Sequence, residues 1–451
     1  MSSRSEQMRS LMAIMVQAVD DIIEAWATED QGPVDATPSA EIFKARRTIL
    51  AAMGVITDLV QSAPERLMEI CSQFYESRAL HVAVQNNVPE LLSTASPRDG
   101  VSLNQLCATT GMNKQKLARI LRCLCTIGVF NEVSHGYFAN GKTGDYLAKN
   151  PGMKAWIIFL SGTAYTASVH LPETLSHPIK GHSNSPLSTA FQQAQDVKIS
   201  YFEWLHTPVN QTSDGSPVYR TELSTFNLAM IGGSKALTWS LYEDYPWHKF
   251  ESATIIDVGG GLGGMCLDLA RKYPNMKFIV QDQGPIIEEA QNFWNAEMPE
   301  ALQNHRTLLM KHDFFLEQPI KGAEIYNLRY ILHDWDDEHC ILILKALRPA
   351  LLQRPWQSRL LICDSVMNTT IGQPAIQEGG LGAASSPLPK NWGHAARFAH
   401  MRDLNMMTML NGRERTAQEV AALAEQAGLE VVKIWPCRSL VWITELKASS
   451  L

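Results

Sequence analysis

The first stretch of the chain carries apolar side chains at alternating four- and three-residue intervals. The positions are Met8, Met12, Met15, Val19, Ile22 and Trp26. This spacing draws one stripe along an amphipathic helix, and we expect the stripe to pack on the protein body or on a partner chain. Two prolines and a glycine within residues 31–39 then indicate a linker.

Residues 42–148 follow a helical period, and residues 101–142 contain a compact sub-pattern. It begins at Ser102 and consists of two helices joined by a turn at Gly111 and followed by a strand-turn-strand. The second helix spans residues 113–126, and the strands span residues 129–133 and 137–139. Such a segment resembles a winged helix-turn-helix.

Basic residues on the second helix raise the question of DNA binding. They are Lys114, Lys116, Arg119 and Arg122. Four basic residues on one helix are more often a solvated face, and the whole chain is acidic, with a formal charge of −7. A structural role is therefore favoured, and no nucleic-acid partner is expected.

The period changes after Trp247. Residues 253–258 and 277–281 read as short apolar strands on either side of a helix at 265–272, which makes a βαβ unit. Further strands are predicted at 324–328, 359–363 and 431–434, and helices at 340–351 and 417–426. The C-terminal half is therefore α/β, with a doubly wound sheet, whereas residues 151–238 look helical. Residues 371–400 are rich in Gly, Ala, Ser and Pro and predict a long loop or lid.

Composition places the chain among ordinary globular proteins. Of its 451 residues, 45% are hydrophobic and 19% charged, and the length suggests about two or three domains. Its eight cysteines form no CxxC pair, which is typical of reduced core residues. No signal peptide and no apolar run of about 18 residues is found, so we expect a cytoplasmic protein without a membrane partner.

A glycine-rich turn follows the first strand of the βαβ unit. Gly259, Gly261 and Gly264 satisfy G-x-G-x-x-G, which suits a dinucleotide, S-adenosylmethionine or a tight turn without a ligand. Asp257, two residues before the first glycine, would repel a pyrophosphate but suits a ligand with an ammonium and a sulfonium. Asp282 ends the second strand, where an acid accepts hydrogen bonds from ribose hydroxyls. Charge therefore favours S-adenosylmethionine.

Residues 333–339 hold two histidines and four carboxylates, which invites a metal interpretation. His333 and His339 lie six residues apart, about 240° around a helix, so they cannot face one ion from a single helix. We expect no metal, and most of these acids are better explained as caps of the following helix. His333 is different because it ends the predicted strand segment 324–332, and carboxyl ends of such strands face the ligand crevice. We predict a catalytic role for it.

Five motifs in order resemble the plant caffeic-acid-type O-methyltransferases and their fungal relatives. They are residues 257–261 (DVGGG), 280–282 (VQD), 312–315 (HDFF), 332–340 (LHDWDDEHC) and 403–416 (DL through GRERT). The resemblance covers most of the chain and implies S-adenosylmethionine as cofactor, a small phenolic or enolic acceptor, and a homodimer formed through the winged-helix part. It divides the chain at 1–40 (helix and linker), 41–150 (dimerisation), 151–238 (connecting, substrate-facing) and 239–451 (methyltransferase).

The resemblance also implies residue roles on the cofactor side. Asp282 would hold the ribose, Asp313 and Phe314 would contact the adenine, and the turn with Gly259, Gly260 and Gly261, next to Asp257, would hold the methionine portion. Arg329 replaces a lysine common in relatives, which keeps the charge with a different set of donors.

On the acceptor side, His333 would be the general base, oriented by Glu414 and Asp364. Asp364 replaces a glutamate of the plant enzymes and is one methylene shorter, so its hydrogen bond to the imidazole could be rearranged. Substrate-facing positions are matched by Phe226, Asn227, Met230 and Met406, although apolar members would also suit an ordinary core.

The sequence thus predicts methyl transfer from S-adenosylmethionine to a hydroxyl of a small aromatic or enolic secondary metabolite. An alternative is a methyltransferase-like pericyclase or dehydratase that keeps the cofactor unreacted, the sulfonium acting as a fixed charge. A cofactor-sensing DNA-binding regulator is a more distant alternative.

Overall fold

The computed structural model describes residues 3–29, 38–371 and 383–449. The chain divides into two compact units. The first comprises residues 1–60, 184–186 and 237–451, and the second comprises residues 61–183 and 187–236.

An eight-stranded sheet organises the first unit. Its strands are β1 (Thr254–Val258), β2 (Lys277–Asp282), β3 (Thr307–Lys311), β4 (Ile325–Arg329), β5 (Arg359–Met367), β6 (Arg415–Thr416), β7 (Leu429–Trp435) and β8 (Val441–Ala448). The order is β3-β2-β1-β4-β5-β8-β7, with β6 paired to β5. Strands β3 to β5 in this order are parallel, and β8 and β7 run antiparallel to their neighbours. Because the order reverses between β1 and β4, a ligand crevice is expected at their carboxyl ends.

Both faces of this sheet are buried. Neighbouring residues point to opposite faces, so Ile255 packs with Trp247 and Trp294 while Ile256 packs with Tyr326 and Ile343. The helices of the unit are Arg4–Glu29, Ala40–Val60, Leu241–Asp244, Gly264–Lys272, Gly284–Glu297, Pro299–Gln303, Asp337–Leu351, Arg397–Leu410 and Ala417–Gln426, with 3₁₀ turns at Trp247–Phe250, Leu332–Asp334 and Gly393–Ala396. The predicted doubly wound α/β architecture is confirmed.

The second unit is mostly helical. Its helices are Ala63–Ser72, Phe74–Gln85, Val88–Leu92, Leu103–Thr110, Lys114–Thr126, Lys142–Lys149, Pro151–Phe159, Tyr165–Val169, Leu171–Ser176, Ala190–Gln195, Tyr201–His206 and Thr221–Thr238, whose last residues fall in the first unit; a π-helical turn lies at Leu160–Ala164 and a 3₁₀ turn at Lys180–His182. Strand Val101–Ser102 joins the hairpin Phe130–Ser134 and Tyr137–Asn140, and Asn210–Gln211 pairs with Pro217–Val218.

The predicted helix-turn-helix and hairpin are present in that unit. The side chain of Ser102 accepts from the backbone of Gln105 in a capping box, and Gly111 ends the first helix in a left-handed conformation. Arg122, one of the four basic residues on the second helix, donates to Glu132 of the hairpin at 2.8 Å. Part of the positive charge of the second helix is therefore neutralised by Glu132 within the unit.

The N-terminal helix forms as predicted, and its predicted stripe is buried only in part: Ile22 is buried and Met8 and Met15 are half-buried, whereas Val19 is exposed. Leu11, Ala18 and Ile22 lie inside against helix Ala40–Val60, whereas Met12 and Trp26 are exposed. Leu11 and Ala18 complete the buried face, although the spacing used for the prediction did not include them.

Two boundary predictions in the C-terminal part are wrong. The strand predicted to run to Leu332 ends at Arg329, so His333 lies in a 3₁₀ turn and not at a strand end. The predicted loop 371–400 is helical from Arg397, and its residues 372–382 lie outside the described part of the chain. Within the described ranges, no helix is both long and apolar enough to cross a bilayer.

Candidate active site

The glycine turn connects β1 to helix Gly264–Lys272. Gly259 and Gly261 have φ of +69° and +59°, a conformation that L side chains rarely adopt. A Cβ on Gly259 would lie 2.5 Å from Ile331 Cδ1, and one on Gly260 would lie 2.6 Å from Asp257 Oδ2. By contrast, a Cβ on Gly261 would meet no atom within 4 Å. The turn is therefore packed tightly against Ile331 at Gly259 and against Asp257 at Gly260, whereas the space beside Gly261 is open.

The carboxylate of Asp257 lies beneath this turn. The residue is 1% exposed, and it accepts from Asn327 Nδ2 at 2.8 Å and from Cys266 Sγ at 3.3 Å. Burial and the nearby Asp257 raise the pKa of the Cys266 thiol well above its ordinary value, so the thiol stays protonated and donates. A buried carboxylate here opposes the binding of a phosphate at the turn.

The acid that ends β2 is tied to the same turn. Asp282 accepts from the backbone N–H of Gly261 at 2.9 Å and of Gln283 at 2.7 Å. The backbone N–H of His312 donates to the Asp282 carbonyl at 2.9 Å, which brings the segment after β3 to this edge of the sheet.

Phe314 and Arg329 lie close to the glycine turn and to Asp257, respectively, whereas Asp313 is exposed. Phe314 lies near Gly259 and packs edge-on against Trp335, with ring centroids 6.1 Å apart. Asp313 is exposed and accepts from the backbone of Phe315. Burial disfavours the charge of Arg329, but Tyr242 and Asp257 outweigh it and raise the pKa of the guanidinium.

His333 is buried in the 3₁₀ turn Leu332–Asp334 and is 6% exposed. Its Nδ1 lies 3.0 Å from Glu414 Oε1, and its Nε2 lies 3.4 Å from Asp334 Oδ1. The ring of Tyr330 stacks on the imidazole, with centroids 5.4 Å apart and planes 20° apart. The Glu414 side chain has no exposed surface. A buried imidazole with an oriented carboxylate partner is the arrangement of a general base.

The carboxylates around His333 shift its pKa. Burial alone would lower it, but Glu414, Asp334 and Asp364 raise the pKa of His333 to about 9. Burial raises the pKa of Asp334 to about 7 and that of Asp364 to about 6. Burial opposes ionisation of Glu414 as well, yet His333 and Arg402 hold the pKa of its carboxyl below the ordinary value. His333 and Glu414 therefore form an ion pair at neutral pH.

A close backbone contact brings Glu414 to His333. A Cβ on Gly412 would lie 2.1 Å from the His333 carbonyl oxygen, so only glycine fits there. The backbone N–H of Glu414 donates to Asp403 Oδ1 at 2.8 Å. Arg415 donates to the Leu332 carbonyl at 2.6 Å, which fixes the turn that carries His333.

The acidic segment after His333 has mixed roles. Asp336 caps helix Asp337–Leu351 by accepting from the His339 N–H, as predicted for these acids. Asp337 instead binds Arg413 and Arg415. Among the described residues, no group of three or more His, Cys, Asp or Glu side chains is arranged to hold a metal ion.

The structure brings most of the predicted residues into two neighbouring groups. One contains the glycine turn, Asp257, Asp282 and Phe314, and the other contains His333, Glu414 and Asp364. Ile331 links them, because it touches Gly259 and lies two residues before His333. Asp364 lies within β5 and not after its end, and its buried Oδ1 has no hydrogen-bond partner within the part of the chain that the structure describes. The imidazole instead donates through Nδ1 to the carboxylate of Glu414.

The predicted substrate residues lie on two helices. Met406 is half-buried on Arg397–Leu410 of the first unit. Phe226, Asn227 and Met230 lie on Thr221–Thr238. Phe226 belongs to an aromatic cluster of the second unit, with ring centroids 5.6 Å from those of Phe159 and Tyr201 and 6.0 Å from that of Phe202.

Three residues around His333 were missed by the sequence analysis: Tyr330, Asp334 and Arg402. Asp334 was grouped with the capping acids, although its position next to His333 could have separated it. Arg402 stands directly before the Asp403 motif, but a single arginine within a helix gives no signal of burial.

The sheet order with a glycine turn after β1 and a buried histidine beyond β4 defines the Rossmann-like fold of small-molecule methyltransferases. Comparison with known families agrees with this class. Residues 220–430 match the O-methyltransferase domain, and residues 68–150 match the O-methyltransferase dimerisation domain. The chain belongs to this O-methyltransferase family, and its dimerisation domain supports a homodimer.

Similar proteins extend over nearly the whole chain. The O-methyltransferase tpcA of Aspergillus fumigatus is 40% identical, over 96% of this chain and 94% of the relative. The O-methyltransferase gedA of Aspergillus terreus is 37% identical, over 98% of this chain and 96% of the relative. These names support a methyltransferase.

Solved structures share the fold. The mitomycin 7-O-methyltransferase MmcR is similar with a TM-score of 0.66 and 26% identity, over 86% of this chain and 98% of that one. LepI, in a complex with SAM, is similar with a TM-score of 0.70 and 21% identity, over 97% of this chain and all of that one. The second likeness concerns the fold alone.

Proposed function

We propose that this protein transfers a methyl group from S-adenosylmethionine to a hydroxyl of a small aromatic or enolic molecule, with His333 as the proton acceptor. The observation that carries the proposal is the buried His333–Glu414 pair, at 3.0 Å, next to the glycine turn. Family membership supports the reaction class.

The residues around the turn fit the proposed cofactor. Gly259 and Gly260 accept no side chain, Gly261 leaves open space, and the carboxylate of Asp257 below them disfavours a phosphate. The turn with Asp257 would hold the methionine portion, Asp282 the ribose, and Phe314 with Asp313 the adenine. When bound, S-adenosylmethionine supplies an electrophilic methyl group on a sulfonium.

The protein's own task is to remove the acceptor's proton. A phenol has a pKa of about 10, and a free imidazole of about 6.5 is a poor match for it. The carboxylates raise the pKa of His333 to about 9, which makes proton transfer from a phenol nearly balanced. Glu414 then stabilises the imidazolium that results. Neutral His333 is the minor form at pH 8, about one tenth of the total.

Phe226, Asn227, Met230 and Met406 stay predicted acceptor contacts, and the acceptor itself is proposed only by class. A methyltransferase-like pericyclase that retains its cofactor is the second candidate. It is kept because LepI and a chain described as a pericyclic reaction enzyme share the fold. Because the pKa of His333 lies near that of a phenol, methyl transfer is favoured over the pericyclase reaction.

The test compares His333→Ala with a surface control, His135→Ala, which lies in the exposed hairpin turn of the second unit. We expect His333→Ala to lose methyl transfer by about 10²- to 10⁴-fold while calorimetry shows unchanged binding of S-adenosylhomocysteine. Wild-type turnover in His333→Ala, with His135→Ala also active, would disprove the assignment.

A further inference from the structure

Arg402 is a buried cation that contacts the His333–Glu414 pair. It lies on helix Arg397–Leu410 and is 9% exposed. Its Nη2 is 3.5 Å from Glu414 Oε1, the same oxygen that lies 3.0 Å from His333 Nδ1. Its Nη1 is buried without a hydrogen-bond partner among the described residues. Glu414 therefore stands between two cations.

Tyr330 forms a second link between Arg402 and the imidazole. The guanidinium carbon of Arg402 lies 5.0 Å from the centroid of the Tyr330 ring, and that of Arg329 lies 5.6 Å away. The imidazole of His333 stacks on the same ring at 5.4 Å. Tyr330 has a φ of +57°, which is rare for a bulky residue and is held by the surrounding structure. The ring thus contacts both the guanidinium groups and the imidazole.

The helix that carries Arg402 also holds the backbone of Glu414. The neighbouring residue, Asp403, accepts from the Glu414 N–H at 2.8 Å. Two consecutive residues of the helix therefore contact the two ends of Glu414, one through its carboxylate and one through its backbone. A shift of this helix would move the partner of His333.

From this geometry we propose that Arg402 is a positioning residue for catalysis: it holds the Glu414 carboxylate in place for His333 and, through Tyr330, fixes the plane of the imidazole. The inference rests on the proposed role of His333 as proton acceptor. It adds a residue that touches neither cofactor nor acceptor in the proposed mechanism.

The charge of Arg402 has a consequence that a purely structural residue would lack. His333 is faced by Glu414 from the loop before β6, by Asp334 from its own turn, by Asp364 from β5, and across Tyr330 by Arg402. Arg402 partly offsets the negative field of the three carboxyl groups. Without this cation, the imidazolium is held more strongly, so His333 needs a higher pH to become neutral.

The test measures kcat/KM against pH for the full-length wild type, Arg402→Met and Arg402→Lys, with a phenolic acceptor that the wild type methylates. For Arg402→Met we expect kcat to fall by about 10- to 100-fold and the midpoint of the acidic limb to rise by about one pH unit. Arg402→Lys keeps the positive charge but loses the planar guanidinium that lies over the Tyr330 ring. The midpoint of the acidic limb should therefore return to the wild-type value, while kcat recovers only in part.

Binding of S-adenosylhomocysteine, followed by calorimetry, should be unchanged in both variants. An unmoved midpoint in Arg402→Met, whether kcat falls or not, would overturn the inference. If Arg402→Met does not fold, Arg402→Gln keeps a polar contact with Glu414 without the charge, and its midpoint decides in the same way. His333→Ala is measured alongside: if it retains turnover, the proposed function itself fails, whereas an inactive His333→Ala with an unmoved Arg402→Met midpoint rejects this inference alone.

Discussion

Replacing Glu414 with glutamine tests how the site sets the basicity of His333. The change is nearly isosteric and removes the charge of the carboxylate that lies 3.0 Å from His333 Nδ1. The pKa of His333 is about 9 in the folded protein against an ordinary value of 6.5. That difference corresponds to about 3 kcal/mol in favour of the protonated imidazole. Glu414 is the first of the groups that raise it.

Without the Glu414 charge, burial opposes the imidazolium and only Asp334 and Asp364 still favour it. We therefore expect the acidic midpoint of kcat/KM in Glu414→Gln to fall by about two pH units. The rate at high pH should fall by about 10²-fold, because a weaker and less well oriented base accepts the proton of a phenol.

The assay is steady-state methyl transfer to a phenolic acceptor, measured from pH about 6 to about 10. Glu419→Gln is the matched control: Glu419 closes the capping box of helix Ala417–Gln426, a position that glutamine also fills. The control should keep the wild-type profile. A midpoint in Glu414→Gln equal to or above that of the wild type would refute the electrostatic account.

Three further predictions follow from the geometry. Gly412→Ala would place a Cβ 2.1 Å from the His333 carbonyl oxygen. We expect denaturant titration to show a loss of about 1–3 kcal/mol in the free energy of unfolding and kinetics to show a fall in kcat. An unchanged kcat would contradict the idea that this backbone contact positions Glu414 for His333. Gly260→Ala would place a Cβ 2.6 Å from Asp257 Oδ2 and should weaken the binding of S-adenosylhomocysteine measured by calorimetry. Gly264→Ala is the control, because its Cβ meets no atom within 4 Å and should leave binding unchanged. Equal effects of the two substitutions would argue against the turn as the cofactor site. Because the pKa of His333 is raised to about 9, protonation of His333 adds fully to the free energy of unfolding below pH 6.5, and this contribution is lost as the pH rises to about 9. Thermal unfolding measured against pH should show this loss in the wild type and less of it in His333→Phe. Parallel plots of melting temperature against pH for the two proteins would count against the ion pair.

Much of the α/β fold was predictable because its signals are local. The apolar runs of β1, β2 and β5 and the helix start at Ser102 were predicted from neighbouring residues alone. Strand β8 was missed, although seven of its eight residues are buried, because its polar Thr444 and Glu445 interrupt the apolar pattern. Those side chains are tolerated inside because partners far along the chain meet them, as Arg359 does for Glu445.

The residues of the candidate site likewise fall into those with a local sequence signal and those without one. The glycine turn and His333 are marked by motifs, and both were predicted. Glu414 and Arg402 come from segments distant from His333 in sequence. Glu414 was predicted through the resemblance, whereas Arg402 and the nearby Tyr330 were not predicted. Their roles depend on how helix Arg397–Leu410 and the backbone at Gly412 approach the 3₁₀ turn, which no local pattern encodes.

The proposed function requires that the methyl group moves to the acceptor and that His333 accepts the proton. Its most direct test is mass spectrometry of phenolic acceptors after incubation of the wild type and His333→Ala with S-adenosylmethionine carrying a deuterated methyl group. We expect the wild type to yield S-adenosylhomocysteine and an acceptor bearing one labelled methyl group, while His333→Ala binds the cofactor and yields neither. A rearranged acceptor with intact cofactor, or labelled product from His333→Ala at the wild-type rate, would contradict it.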